Sequence, residues 1–348
     1  MILNLDKNAS SADIHLLIDK LETMGFQVSL GKDGVGTSLA LVRGVDNFTR
    51  AELFSHLPLV EKVTPFPDKF KLTSKDFRQE QTVIDLGNVK IGDGSLTVFA
   101  GPCAIESETQ IHEIAEAVAK SGASVLRGGA FKPRTSPYAF QGLGEQGLKY
   151  MRNAADTHGL LAVGEVMTVE DVPLVADYMD ILQIGARNMQ NFALLKEAGT
   201  STTPVLLKRG WAATYTELLM AAEYILSFGN ANVILCERGI RTFETHTRNT
   251  LDLAAVPVLR ELTHLPILVD PSHGTGLRHL IAPMSKAALA VGADAVMIET
   301  HTDPDASVSD SRRTISIETF DRLMEDLRRI GDAMGIKINI SGKQEKAA

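Results

Sequence analysis

The 348-residue chain is 44% hydrophobic and 22% charged, enough apolar material for one large domain and a smaller companion at roughly 150 residues per domain. Its 35 Lys and Arg stand against 43 Asp and Glu, a net charge of -8 that excludes a chain whose task is to coat nucleic acid. No apolar run approaches the ~18 residues that cross a bilayer, the start MILNLDKNAS lacks a basic and then apolar leader, and Cys103 and Cys236 are too few for a disulfide framework, so a cytoplasmic enzyme with reduced thiols is expected.

Residues 1–75 read as a strand MILNL, a helix from Ser11 to Met24, strands FQVSLG and TSLALVRG, a helix from Arg50 to Leu57 and a strand VEKVTPF. This βαββαβ order is the ferredoxin-like plan. Nothing in the segment clusters His, Cys and carboxylates, so a small packing domain is expected there. Residues 76–94 read as a linker followed by a hairpin, TVIDLGNVKIGDG, able to plug the bottom of the domain that follows.

Over residues 95–338 short Val/Ile/Leu-rich runs alternate with segments of helical period, the pattern of parallel strands joined by crossover helices. The runs are LTVFAGP, SVLRGGA, LLAVGEV, DILQIGA, PVLLKRG, NVILCERG, PILVDPSH and AVMIETH, each apolar enough to be buried on both faces. In the first crossover Ser107 and Gln110 form a capping pattern, Ile111, Ile114, Ala115 and Val118 recur at helical spacing, and Gly122 ends the run. The same grammar predicts helices over 145–158, 169–178, 192–198, 216–228, 249–262, 283–291 and 318–334. The alternation fits an α/β fold of the (β/α)₈ TIM-barrel type; the GxGxxG first turn of a dinucleotide-binding sheet is absent. Residues 339–348 read as a polar tail.

Reactive groups of such a barrel sit where the strands end. Those ends carry Cys103; Arg127 with Lys132 and Arg134; Glu165; Arg187; Lys208 with Arg209; Glu237 with Arg238; Asp270 with His273; and Glu299 with His301. One Lys or Arg there is ordinarily a solvated rim charge. Cations from five strand ends in an acidic chain instead imply a small polyanion, most simply one or two phosphates, with Arg supplying bidentate geometry. Cys103, His273, Glu299 and Asp310 come from strands that adjoin once a barrel closes. They suit a divalent transition metal with mixed S, N and O ligands; the same residue types also fit a small buried thiol and a hydrogen-bonded core imidazole.

The segments AGPCAIES (100–107), VLRGGAFKPRTSPYAFQGLG (125–144), QIGARNMQNF (183–192), PVLLKRG (204–210), ILCERGIRTFE (234–244), ILVDPSHGTG (267–276) and IETH (298–301) closely resemble the 3-deoxy-D-arabino-heptulosonate 7-phosphate (DAHP) synthases that carry a ferredoxin-like N-terminal domain. The resemblance covers nearly the whole chain. It implies condensation of phosphoenolpyruvate with erythrose 4-phosphate at the entry to aromatic amino-acid biosynthesis. It implies a phosphoenolpyruvate site of Arg127, Lys132, Arg187, Lys208 and Arg238, with Asp270 also in the substrate site. The aldose phosphate would be received by Lys132, Pro133, Arg134, Thr135 and Ser136. The implied metal ligands are Cys103, His273, Glu299 and Asp310, for Mn, Fe, Co, Zn or a similar ion, with Lys132, Cys103 and His273 as the catalytic groups. A homo-oligomer, a tetramer, is implied as well, with phenylalanine or tyrosine as effector.

Two features depart from the family pattern: Ser311, Arg312 and Arg313 follow Asp310 where relatives usually carry Gly, and Thr302 follows His301 in place of Pro. These arginines read as a solvated loop or as extra phosphate contacts. Three rivals are carried forward. The sibling 3-deoxy-manno-octulosonate 8-phosphate synthase, acting on arabinose 5-phosphate, usually has Lys-Ala-Asn-Arg-Ser-Ser where this chain has KPRTSP. A Schiff-base aldolase would use Lys208 as nucleophile. A catalytically inert barrel would only bind a metabolite.

Overall fold

The computed structural model describes residues 1–32, 36–45, 49–65, 70–132, 138 and 140–339. The N-terminal strands β1 (Ile2–Leu5), β2 (Gln27–Lys32), β3 (Thr37–Arg43) and β4 (Val60–Thr64) form an antiparallel sheet in the order β2-β3-β1-β4. Helix α1 (Ser11–Thr23) begins where the Ser10 hydroxyl accepts from the Asp13 amide, and buries Ile14, Leu17 and Leu21. These side chains pack with Leu3, Leu5, Leu39, Leu41 and Phe54. The expected second helix is shorter, α2 (Glu52–Ser55), with no side-chain cap to extend it. This is the ferredoxin-like arrangement, its two βα units interleaved in one sheet.

The segment after it is sewn to the barrel. Glu223 accepts from the Leu72 and Thr73 amides at 2.9 and 3.0 Å, Thr263 donates to the Thr73 carbonyl, and Thr82 meets His264 at 2.7 Å. Strands β5 (Ile84–Asp85) and β6 (Lys90–Ile91) then form a two-stranded hairpin.

The barrel strands are β7 (Leu96–Gly101), β8 (Val125–Arg127), β9 (Leu161–Val166), β10 (Ile181–Ile184), β11 (Val205–Lys208), β12 (Val233–Glu237), β13 (Ile267–Val269) and β14 (Ala295–His301). Neighbours pair in parallel, and β14 closes on β7 with Ala295 opposite Thr97 and Glu299 opposite Gly101. Short strands β15 (Ile315–Ser316) and β16 (Ile338–Asn339) extend β14 and β7, so Asn339 of the expected tail pairs with Thr97. The crossover helices are α3 (Glu108–Ser121), α4 (Glu145–His158), α5 (Asp171–Tyr178), α6 (Phe192–Thr200), α7 (Tyr215–Ser227), α8 (Ala255–Leu262), α10 (Arg278–Ala290) and α11 (Ile317–Met334), with a short α9 (Pro271–Thr275) before α10. Ser107 caps α3 through the Gln110 amide, and Gly122 ends it in the left-handed region at φ 101°. Among the described residues no helix is long and apolar enough to cross a membrane.

Two helix starts differ from expectation. Helix α8 begins at Ala255, not Asn249, because Asn249 and Thr250 spend their backbone groups on Gly274 and Ile240 in the loop above the barrel. Helix α10 begins at Arg278 and carries Pro283 inside it rather than at its first turn; proline there lacks the helical donor, yet the helix continues around it.

Strand residues alternate between two cores. One set faces the helices. The other, Phe99, Val125, Val163, Ile181, Leu206, Ile234, Leu268 and Met297, fills the barrel interior together with Ile84 and Ile91 of the hairpin. The hairpin therefore closes the N-terminal end with apolar side chains and leaves the opposite end for chemistry. Ile91→Ala should cost about 2–5 kcal/mol, the usual price of a buried cavity, read as a lower urea midpoint.

Candidate active site

Arg127 ends β8, Lys208 ends β11, Arg238 follows β12, and Arg187 lies in the 3-10 turn Ala186–Asn188 after β10. Together with Lys132, Arg248 and Arg313 they make seven cations lining one cavity of about 250 Å³ at the C-terminal end of the strands. Glu165, Gln183, Trp211, His273 and Asp310 complete the wall. Arg127, Lys208, Arg238 and Arg313 are buried at its floor, whereas Arg187 and Arg248 stand exposed at its rim.

Buried carboxylates hold the floor in place. Glu299, with no exposed surface, accepts from Arg127 at 3.1 Å and from Arg313 Nε at 2.7 Å, and its Oε1 lies 3.4 Å from His273 Nε2. Asp270, equally buried, accepts from Lys208 Nζ at 2.7 Å, and its Oδ2 lies 2.7 Å from His273 Nδ1. Burial works against the Arg127 charge, but Glu299, Cys103, Asp270 and Glu165 together hold its guanidinium above the ordinary value. Burial alone would raise Asp270; His273 and Lys208 keep it well below the usual carboxylate range. His273 is depressed, since burial outweighs both carboxylates.

Other cations lack such a partner. Among the described residues Arg187, Arg238 and Arg248 form no ion pair. Among the described residues Arg238 donates to the Gly239 and His273 carbonyls, at 3.4 and 3.3 Å, and burial lowers it from its ordinary value. Arg187 stacks on Trp211 at 5.2 Å, with Arg241 on the same ring at 4.8 Å. Convergent positive charge without internal compensation is the property of an anion site.

Beneath one wall, Lys132 Nζ donates to the Cys103 carbonyl at 2.7 Å and faces its Sγ at 3.2 Å. Gly129 permits this return, because a Cβ there would lie 2.6 Å from Lys132 Cδ. Cys103 Sγ is 3.0 Å from Asp310 Oδ2 and 3.2 Å from Ser309 Oγ. Burial and the Glu299 charge push the Cys103 thiol up to about 12, with Lys132 opposing. The four sulfur, nitrogen and oxygen donors thus meet as two pairs, Cys103 with Asp310 and His273 with Glu299. Among the described residues no three such groups gather closely enough to enclose an ion.

Several expectations change. Asp270, read as a substrate contact, stands behind Lys208 and His273 and does not line the cavity; it is fully buried and can act only through them. Arg209 turns away to Glu237 at 2.7 Å and Asp252 at 2.9 Å, and its guanidinium stacks on Tyr215 at 4.6 Å. His301 meets Gln110 at 3.2 Å outside the cavity. Arg312 is exposed, as a solvated loop requires, but Arg313 is buried in the site. Pro133, Arg134, Thr135 and Ser136 lie outside the described residues. Arg248, Gln183 and Trp211 were not anticipated. The signal for Arg248 was its position in the loop after β12, and Gly276, at φ 70°, makes room for it: a Cβ there would lie 2.5 Å from Arg248 Cβ.

The DAHP synthetase I family model matches residues 71–333. The chain belongs to that family. It is 48% identical over 339 residues to the phospho-2-dehydro-3-deoxyheptonate aldolase of Thermotoga maritima, covering 97% of this chain and 100% of the relative. The crystal structure of the Thermotoga maritima phospho-2-dehydro-3-deoxyheptonate aldolase (DAHP synthase) superposes with a TM-score of 0.78 at 47% identity, over 97% of this chain and 99% of that one. A 2-dehydro-3-deoxyphosphooctonate aldolase of Bradyrhizobium diazoefficiens is 32% identical over 266 residues, which cover 70% of this chain and 93% of the relative.

The buried Arg209–Glu237 pair does not line the cavity. Arg209→Leu should destabilise the fold by about 3–5 kcal/mol, because Glu237 would be left charged and buried; a fall in the thermal midpoint measures it.

Proposed function

We propose that the chain condenses phosphoenolpyruvate with erythrose 4-phosphate and water to give DAHP and inorganic phosphate. The single observation that carries the reading is the seven-cation cavity, whose charge exceeds what one phosphate needs and fits two phosphorylated substrates, one of them also a carboxylate. Near-full-length similarity to a heptonate aldolase at 48% identity, against 32% over 70% of the chain for an octonate aldolase, favours the four-carbon aldose. The motif KPRTSP points the same way.

In this mechanism Arg127, Arg187, Lys208 and Arg238 hold the phosphate and carboxylate of phosphoenolpyruvate. The aldose phosphate binds toward Lys132 and the segment after it. Holding the two substrates face to face turns a bimolecular carbon–carbon bond formation into a positioned one. C3 of phosphoenolpyruvate attacks C1 of the aldehyde. The flanking phosphate and carboxylate stabilise positive charge at C2, water adds there, and phosphate leaves by C–O cleavage. Lys132 delivers a proton to the developing alkoxide. The chemistry of a thiol, an imidazole and two carboxylates suits a divalent ion of the Mn, Fe, Co or Zn type, which Cys103, His273, Glu299 and Asp310 would hold once drawn together. When bound, such an ion supplies Lewis-acid polarisation of the aldehyde oxygen. Lys208 Nζ donates to Asp270 Oδ2 at 2.7 Å and serves as an ion-paired anchor in this reading, so the carboxylate occupies the amine that the Schiff-base rival would use as nucleophile.

Phosphate release from the two substrates should require both, be lost with chelator, and run with far higher kcat/KM on erythrose 4-phosphate than on arabinose 5-phosphate. Lys132→Met should lower it roughly a thousandfold or more, by the rule of tenfold per ~1.4 kcal/mol. Equal rates on the two sugars would move the assignment to the octulosonate enzyme.

Feedback by phenylalanine or tyrosine on a tetramer, acting through the N-terminal domain, belongs to the same proposal. A cavity of about 170 Å³ lined by Asn4, Lys7, Ser38, Glu61, Asp76 and Phe77 supports it, since it offers both charges and a ring face to an amino acid. A coupling of about 1–3 kcal/mol suffices for inhibition. A truncated chain starting at Phe70, which keeps the Glu223 anchors, should retain catalysis and lose inhibition by both amino acids.

A further inference from the structure

The least expected side chain in the site is Arg313. It belongs to a loop that departs from the family pattern, yet it is 6% exposed. Asp310 opens that loop in the left-handed region at φ 59°, and the 3-10 turn Ser311–Arg313 that follows sends Arg313 inward while Arg312 stays outside. Its Nε donates to Glu299 Oε2 at 2.7 Å, its Nη2 donates to Asp310 Oδ2, and the same Nη2 lies 3.8 Å from Cys103 Sγ. Nη1 is buried with no partner among the described residues. One guanidinium therefore spans the two donor pairs, Cys103 with Asp310 and His273 with Glu299.

We propose that Arg313 is a built-in cation that competes with the divalent ion for the same ligands, so that the ion binds only as the guanidinium withdraws from Glu299 and Asp310. The inference rests on the metal reading above and adds to it a residue that sets how tightly the ion is held. The first argument is occupancy. A divalent ion must approach within roughly 2.0–2.3 Å of the sulfur and the oxygens, and the Asp310 oxygen nearest the sulfur, Oδ2, is the one that Arg313 already engages. The second is charge. Glu299 and Asp310 are balanced by Arg127 and Arg313, and Lys132 already stands at the sulfur. A divalent ion with a thiolate brings a further net positive charge into a buried site, and burying unbalanced charge is costly; release of Arg313 toward the cavity restores the balance. The third is a path. Arg313 lines the cavity as well as the ligand cluster, so its head group has space into which to turn.

The test is cobalt binding by the full-length chain after chelation, followed through the thiolate-to-cobalt charge-transfer absorption and by titration calorimetry. Arg313→Gln should bind Co²⁺ at least tenfold more tightly than the wild-type chain, and Arg313→Lys, which cannot span both carboxylates, should fall between. The metal-free Arg313→Gln protein should melt lower than wild type and gain more from Co²⁺. Circular dichroism of each variant at low temperature establishes that it is folded before titration. Unchanged or weaker Co²⁺ affinity in a folded Arg313→Gln, with the thiolate band present, would overturn the competition while leaving the metal site standing. Absence of the band in wild type and in both variants would instead overturn the metal reading itself, and this inference with it.

Discussion

Glu299 is a carboxylate with no exposed surface at the mouth of a barrel, and much of the site follows from what that arrangement demands. An isolated buried charge is prohibitive, and a buried pair is stable only when its geometry and remaining hydrogen bonds are complete. Arg127 and Arg313 approach Glu299 from two sides, and His273 lies beside it. Asp270 plays the same part for Lys208 and His273. Each side chain that neutralises a carboxylate has its own orientation fixed in return. The floor of the cavity is thus held by ion pairs within the chain itself, and electrostatic preorganisation of this kind is what a charged reaction uses.

The two ends of the barrel are made different by the same alternation. Toward the N-terminal end, the inward residues are apolar and meet Ile84 and Ile91 of the hairpin. Toward the C-terminal end, the strand termini turn charged and face a cavity lined mainly by polar and charged side chains. The N-terminal sheet buries its own core, while the residues that follow it are tied to α7 and α8 through Glu223 and Thr263. The cavity therefore draws on strand ends and loops, and the segment after the N-terminal sheet is attached to the helices.

A chain of net charge -8 repels anions at a distance, yet seven cations face one cavity. At physiological ionic strength, screening over ~8 Å makes the local charge decisive once a ligand is near. Arg187 and Arg248 stand exposed at the rim, and the buried cations lie below them. The stacking of Arg187 and Arg241 on Trp211 holds a rim charge that would otherwise be free to sample solvent.

The sequence by itself determined the barrel and its companion domain, because strand and helix periods, caps such as Ser107 and stops such as Gly122 are local properties that survive without knowledge of neighbours. It also located the charged strand ends, since the architecture fixes where reactive groups stand. What only the tertiary structure decided was which of those charges share a space. Lys208 and Arg209 are adjacent in sequence, but strand alternation sends one into the cavity and the other to Glu237 and Asp252. Asp270 and Glu299 look alike as strand-end carboxylates, and only packing shows that both are supports beneath the wall. Arg248 comes from a loop with no period to read, and enters the site because Gly276 leaves space beside it. Arg312 and Arg313 are indistinguishable by composition; the left-handed turn at Asp310 places one in solvent and the other against two carboxylates. Charge and period are written along the chain, whereas the direction in which a side chain leaves the backbone is settled by contacts between residues far apart in it.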